Sequence, residues 1–205
     1  MAELTGYWQA NLIQMMEALG AEAVQELLAS FSCPGNADVE DFLHNKAIEF
    51  ARQKIAAVHL VFTSYQGKPV LVGYYALANK VFIIRNTSRL SAKLRGRLKR
   101  FARFNNELRQ YELSIPLIGQ LGKNYANGYD KLIAGDDLLQ FAFEKIRIMQ
   151  MCVGGKFAYL ECAEIPSLVR FYERNGFVAL DVRKLDKAEI GLDGHEAYLQ
   201  MIKYF

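Results

Sequence analysis

The chain has 205 residues, 52% apolar and 23% charged, with a formal net charge of +3. That length suits one domain with an appendage, and that balance suits a folded core and excludes long disordered tracts. No apolar run approaches the roughly 18–20 residues of a membrane span, and the opening MAELTGYWQANL lacks a basic stretch leading into a hydrophobic one, so neither span nor signal peptide is expected.

Residues 1–30 are expected to be a helical extension. Leu12, Met15, Met16 and Leu19 recur at helical spacing, and Val24, Leu27, Leu28 and Phe31 do so after Gly20. Cys33-Pro34-Gly35-Asn36 breaks the pattern. Asn36 or Asp38 can cap a helix running from about residue 38 to 55, with Val39, Phe42, Leu43, Ala47, Phe50 and Ala51 on its apolar face. AVHLVFTSY and VLVGYYAL then read as strands around a turn at Gln66-Gly67-Lys68-Pro69. KVFIIRN continues the second strand or forms a third.

Residues 88–110 read as an inserted basic helix. From Arg89 to Arg109 there are eight basic residues and one acidic, a local charge of +7 that leaves −4 for the rest. Leu90, Leu94, Leu98, Phe101 and Leu108 line one side, and Arg89, Lys93, Arg97 and Arg100 repeat on another. Gly96 weakens the middle by about 1 kcal/mol relative to alanine. ELSIPLIGQLGKNY reads as a buried strand and NGYDKLIAG as a loop. DDLLQFAFEKIRIMQ is a helix with Leu138, Leu139, Ala142, Ile146 and Met149 inward. KFAYLEC is a strand, PSLVRFYERNG a helix ending on Gly176, and FVALDVRK and YLQMIKYF are the last two strands. The strand–loop–helix–strand unit at 113–162 requires two parallel neighbours joined by a crossover helix. The expected class is α+β, a single domain over 1–205 with a mixed, mostly antiparallel sheet flanked by helices.

Two segments can carry chemistry. A glycine-bearing loop feeding a helix at 113–149 offers unpaired amides and a positive dipole end to phosphate. LVRFYERNGF, residues 168–177, presents Phe171 and Tyr172 on a short helix. A neutral tyrosine, with an ordinary pKa of about 10, can protonate a basic leaving group such as a thiolate. Each is ordinary alone: a glycine before a helix is often a turn, and a half-buried aromatic is often only packing.

Taken in order, these segments resemble the GNAT acetyltransferase superfamily. Residues 168–177 are similar to its last motif, in which the tyrosine after phenylalanine protonates the departing CoA sulfur. Residues 115–139 stand where its cofactor motif belongs. FSCPGNADVEDFLHNKAIEFA, GYYAL and IPLIGQLGKN resemble, more narrowly, the toxin-type bacterial GNAT enzymes that acetylate aminoacyl-tRNA. The similarity covers about residues 31–180. It implies acetyl-CoA as co-substrate, transferred by direct attack of an amine. Tyr172 would be the acid, and Gln120, Leu121, Gly122 and Lys123 would line the pantetheine arm, which a splayed strand can pair like an added strand. Lys131, Ala134, Gly135 and Asp136 would lie at the pyrophosphate, and Phe171 would also bind the cofactor.

The family's pyrophosphate signature is Gln or Arg, two residues, Gly, one residue, then Gly or Ala. The stretch Asp130-Lys131-Leu132-Ile133-Ala134-Gly135 matches only its final glycine, and Asp136 and Asp137 compete for the same helix end. A GNAT-like binding module without turnover is therefore the alternative, beside a protein or small-molecule acetyltransferase. Residues 113–129 hold no Asp or Glu, so Glu161 and Glu164 are the nearest candidate bases. An α-amine, with a pKa near 7.7–8.0 against about 10.4 for lysine, has less need of one.

Arg89, Lys93, Arg97 and Arg100 are candidate RNA-backbone contacts, with a solvated helix face as the plain alternative. The odd count of Cys33, Cys152 and Cys162, with no CxxC pair, argues against a disulfide framework and fits a cytoplasmic setting. His44, His59 and His195 lack metal-ligand spacing, so no metal is expected, and His59 reads as a core or edge residue. The N-terminal helices can pack on the core or on a second copy, which leaves a homodimer among the expected partners.

Overall fold

The computed structural model describes residues 6–85, 87–187 and 189–205. The start of the expected N-terminal extension, residues 1–5, and Asn86 of KVFIIRN lie outside the described residues. The chain divides into two compact units. One comprises residues up to Ala78 plus Gly119–Glu144, and the other Asn79–Ile118 plus Lys145–Phe205.

The first unit opens on a strand, where a helix was expected. β1 (Tyr7–Asn11) pairs antiparallel with β2 (Ala57–Tyr65), and Trp8 stacks on Phe62 at 5.9 Å. The helical spacing begins only at Leu12, because Asn11 caps the helix by accepting from the Ile13 amide at 3.0 Å. α1 (Leu12–Leu19) and α2 (Ala21–Ala29) are separated at Gly20, whose φ of 86° a side chain would resist. α3 (Ala37–Asp41) takes its cap from Asn36, which accepts from the Val39 amide at 3.0 Å. It runs through one π-helical turn, Phe42–Lys46, into α4 (Ala47–Arg52). Val39, Phe42, Leu43, Ala47 and Ala51 are buried together with Leu12, Val24 and Leu28, as the apolar face required.

β2 turns into β3 (Lys68–Ile84) through Gln66 and Gly67, both at positive φ, the conformation that suits a two-residue hairpin. Residues 80–84 of KVFIIRN continue β3 rather than starting a new strand. In the second unit, α5 (Ala92–Phe101) is capped by Ser91. It is shorter than the expected 88–110 helix. Ala102 is already extended, and β4 (Arg103–Asn105) folds back on β5 (Gln110–Lys123). Leu90 and Leu98 are buried, but Leu108 is 63% exposed and does not belong to the inward stripe.

α6 (Gly135–Val153) buries Leu138, Leu139, Ala142 and Ile146 and half-buries Met149. β6 (Phe157–Cys162) runs parallel to β5, with Leu117 opposite Tyr159, which is the parallel pair the crossover unit demanded. α7 (Pro166–Arg174) begins on a proline, which suits a first helical turn. β7 (Val178–Lys184) and β8 (Ala197–Tyr204) complete the eight-stranded sheet, whose order is β1-β2-β3-β5-β6-β8-β7 with β4 on β5. β2 with β3, β6 with β8 and β7 with β8 pair antiparallel, as β1 with β2 and β4 with β5 do. No helix among the described residues is long and apolar enough to cross a membrane.

Candidate active site

In the first unit, the end of β5 leads into the loop before α6. Gln120, Leu121 and Lys123 are half-buried and Gly122 is buried. Gly122 is there because nothing larger fits: a Cβ would stand 2.4 Å from Val39 Cγ1. Gly73 on the adjoining strand has a Cβ position 2.9 Å from the Gly122 carbonyl oxygen, so the two glycines let these backbones approach closely.

The next residue, Asn124, is 1% exposed and fixes the path. Its side chain accepts from the Ser32 and Ala126 amides at 3.0 Å each and donates to the Leu71 carbonyl at 2.9 Å. The expected loop is largely a 3-10 helix, Ala126–Leu132, interrupted by left-handed Asn127 and Gly128. The Lys123 ammonium donates to the Asp130 carbonyl at 2.9 Å and ties strand to loop. Tyr7 makes a second tie, donating to the Leu132 carbonyl at 2.6 Å. Burial and the nearby Asp137 carboxylate push the Tyr7 phenol pKa up, so it stays a donor. Lys131, Ala134 and Asp136 are exposed, and Gly135 opens α6, whose first turn carries Asp136 and Asp137. Neither Tyr7 nor Asn124 was expected from sequence. Only the polar side chain of Asn124, next to an apolar strand, hinted at a buried role.

In the second unit, Tyr172 lies on α7 and is 8% exposed. Its ring packs edge-on against half-buried Phe171 at 4.9 Å and Phe177 at 5.7 Å. Its hydroxyl makes no hydrogen bond among the described residues, yet it is not sealed from solvent, since no buried side-chain polar atom is left without a partner. Burial, with a smaller contribution from Cys162, raises its pKa well above the ordinary tyrosine value. The phenol is therefore protonated at neutral pH and uncommitted, which is the state an acid needs. Cys162 is pushed up to about 11 by burial and then by Glu164, so its thiol is protonated and a poor nucleophile.

Glu161 is tied up, contrary to its candidacy as a base. Arg183 grips it with two hydrogen bonds of 2.8 Å, Tyr159 donates to it, Gln200 donates to it at 3.3 Å, and Lys80 stands 4.0 Å away. Burial alone would raise its pKa, but the bonds from Arg183 and Tyr159 and the charge of Lys80 outweigh it and hold the carboxyl below its usual range. Glu164 is exposed. Because the folded carboxyl titrates below its unfolded value, its contribution is complete above that value and is lost as pH falls through the lowered one. Glu161→Gln is expected to destabilise the protein at neutral pH by about 1.5–3 kcal/mol, the range for hydrogen bonds to charged groups. The loss should shrink toward acid pH. Denaturation midpoints of both proteins across the acid range measure it, and a pH-independent difference would contradict the assignment.

Lys93 and Arg100 on α5 are exposed, and so is Arg89, which lies in the turn before the Ser91 cap and outside the helix expected to carry it. Arg97 differs: its guanidinium lies 4.1 Å from the Tyr204 ring, so part of its role is to hold the helix on the sheet. His59 stacks on Tyr75 at 5.0 Å, within the strand layer as expected.

The strand order, the crossover through α6 and the placement of α7 together have the fold of the toxin-type GNAT acetyltransferases. Solved structures similar to this chain include one described as a bacterial toxin, with 18% identity, 97% of this chain and 90% of that one covered, and a TM-score of 0.60. AtaT complexed with acetyl-methionyl-tRNAfMet is 19% identical over 84% of this chain and 85% of its own, with a TM-score of 0.57. A tyrosine-to-phenylalanine mutant of KacT is 16% identical over 95% and 94%, with a TM-score of 0.60. No protein-family profile and no curated protein matches the sequence.

Proposed function

We propose that this chain is an N-acetyltransferase that moves an acetyl group from acetyl-CoA to an amine, and that the acceptor is the α-amine of an aminoacyl-tRNA. The observation that carries the reading is Tyr172, a protonated phenol whose hydroxyl makes no hydrogen bond among the described residues, on the helix that the GNAT resemblance assigns to the leaving group. The fold supports it. So does the range of what solved structures with this fold hold: AtaTR is bound with AcCoA, and AtaT is complexed with acetyl-methionyl-tRNAfMet.

Acetyl-CoA supplies the acetyl group as an activated thioester. Backbone groups of Gln120, Leu121, Gly122 and Lys123 hold the pantetheine arm. The amides that open α6 at Ala134, Gly135 and Asp136, with Lys131, are assigned to the pyrophosphate. The amine nitrogen bonds to the carbonyl carbon as the carbon–sulfur bond breaks. Tyr172 gives its proton to the sulfur and regains one from solvent, while the amine loses its surplus proton to water. With Glu161 held by Arg183 there is little support for a carboxylate base. At neutral pH an α-amine has a neutral fraction more than about a hundredfold that of lysine, from pKa values near 7.7–8.0 and 10.4. Mass spectrometry after incubation with acetyl-CoA and charged tRNA tests the acceptor. N-acetylaminoacyl-tRNA is expected. Acetylated lysine peptide with untouched charged tRNA would shift the acceptor to protein, and no transfer at all would leave a binding module.

The exposed cations on α5 and in the turn before it suit the phosphates of such an acceptor. Reversing Arg89, Lys93 and Arg100 to glutamate is expected to weaken tRNA binding and flatten its salt dependence, by about 0.7–0.9 in the log–log slope for each phosphate no longer neutralised. Filter binding at several salt concentrations measures this. An unchanged slope would make α5 a solvated face.

A further inference from the structure

Among the described residues, the second unit holds a strand edge that no strand covers. β3 pairs with β2 only as far as Leu77, opposite Ala57, and then runs on to Ile84. β5 is the neighbour of β3 on its other side, with Asn79 bonded to Ser114, and beyond Leu77 no strand takes the place of β2 among the described residues. β7 ends the sheet order and also has one side without a strand. These two edges line a single groove of about 550 Å³, with Lys80 to Arg85 on one wall, Leu180 to Lys184 on the other, and Tyr159 and Gln200 between.

An apolar strand edge is a template for another chain, and proteins usually blunt such edges. β7 is blunted. Its pairing shifts at a bulge between Ala179 and Asp181, and the Val182 amide is already bonded to the Asp181 carboxylate at 2.9 Å. The β3 edge has neither device. Its middle exposes Val81 at 65% and Ile83 at 39%, and its charges, Lys80 and Arg85, stand at its two ends.

We propose that residues 79–84 of β3 receive an extended, acidic segment of a partner protein, which adds to the sheet as a strand. Backbone pairing would give the affinity and alternate side chains the selectivity. At about 3.4 Å per residue, the wall from Lys80 to Arg85 matches a segment of about five or six residues. The charge sign comes from the groove. Lys80, Arg85, Arg183 and Lys184 line it against Asp181 and Glu189, and Arg183 already serves Glu161 and Glu189, which leaves Arg85 and Lys184 exposed. A second copy is a poor occupant. Antiparallel self-pairing of this segment would bring Lys80 of each chain toward Arg85 of the other, and like charges opposed across strands destabilise. The proposal does not depend on acetyl transfer.

The test uses the full chain and a capped nonapeptide alternating glutamate and valine. Fluorescence anisotropy is expected to show binding, with slowed amide hydrogen exchange at residues 79–84. A version with alternate backbone nitrogens methylated should bind at least about tenfold more weakly, and Lys80→Glu with Arg85→Glu should weaken the parent peptide about tenfold, each equal to about 1.4 kcal/mol. A lysine–valine peptide should not bind. Equal binding of the methylated or lysine peptide, unchanged exchange at 79–84, or dimerisation that occludes the edge would overturn the proposal.

Discussion

Tyr172→Phe is expected to lower the acetyl-transfer rate by about 10²–10⁴-fold, the usual contribution of a positioned acid. Binding of acetyl-CoA should barely change, because the substitution keeps the ring that packs on Phe171 and Phe177 and removes only a hydroxyl that bonds to nothing among the described residues. The loss should therefore appear in kcat and leave KM for acetyl-CoA close to its original value. The raised phenol pKa adds a pH signature. Activity should rise through the pKa of the acceptor amine and show no alkaline fall from Tyr172 below pH about 10, the ordinary tyrosine value. Steady-state kinetics with a thiol-release readout decide it. Full activity in the variant would take Tyr172 out of the chemistry.

Gly122→Ala should have the largest effect on the fold. The added methyl group would stand 2.4 Å from Val39 Cγ1, with Phe31 at 3.4 Å and Tyr74 at 3.6 Å. Val39 has little room to yield: it is 7% exposed, and its carbonyl accepts from the Tyr74 hydroxyl at 2.6 Å. Overpacking of this kind costs about 1–3 kcal/mol, and each kcal/mol corresponds to about 2–4 °C in Tm for a chain of this size. Gly96→Ala is the control. Nothing lies within 4 Å of the new atom, and alanine favours helix α5. A melting curve for each variant separates the two, and an unchanged Tm in Gly122→Ala would mean that β5 and α3 are not packed as described. Because Gly122 belongs to the strand proposed to hold the pantetheine arm, weaker acetyl-CoA binding should accompany the lower Tm.

Much of the architecture was legible in the sequence because the local patterns were strong. The apolar stripe of residues 39–51, the Asn36 cap and the parallel partnership of β5 and β6 follow from periodicity and order alone. β1 was not legible. Five residues with Tyr7 and Trp8 carry too little alternation to stand out, and their strand character depends on pairing with β2, some fifty residues away. The insertion was only half legible. Charge marked α5, but charge does not say where a helix stops, and Leu108 kept the helical spacing after the backbone had become extended.

The proposed acid was easier to find in the sequence than the residues that hold the loop before α6. Tyr172 lies in a motif, whereas Asn124 and Tyr7 hold the loop through hydrogen bonds to the Ser32 amide and the carbonyls of Leu71 and Leu132. Backbone partners leave no mark in sequence. The fate of Glu161 was equally hidden, because its partner Arg183 lies twenty-two residues further on.

Calorimetric titration of acetyl-CoA into the purified protein is the decisive measurement, because the departures from the pyrophosphate pattern and the carboxylates of Asp136 and Asp137 bear on cofactor binding. Saturable one-to-one binding that Tyr172→Phe leaves intact is expected, with acetyl transfer lost in that variant. The absence of any binding heat at millimolar acetyl-CoA would contradict the proposed function.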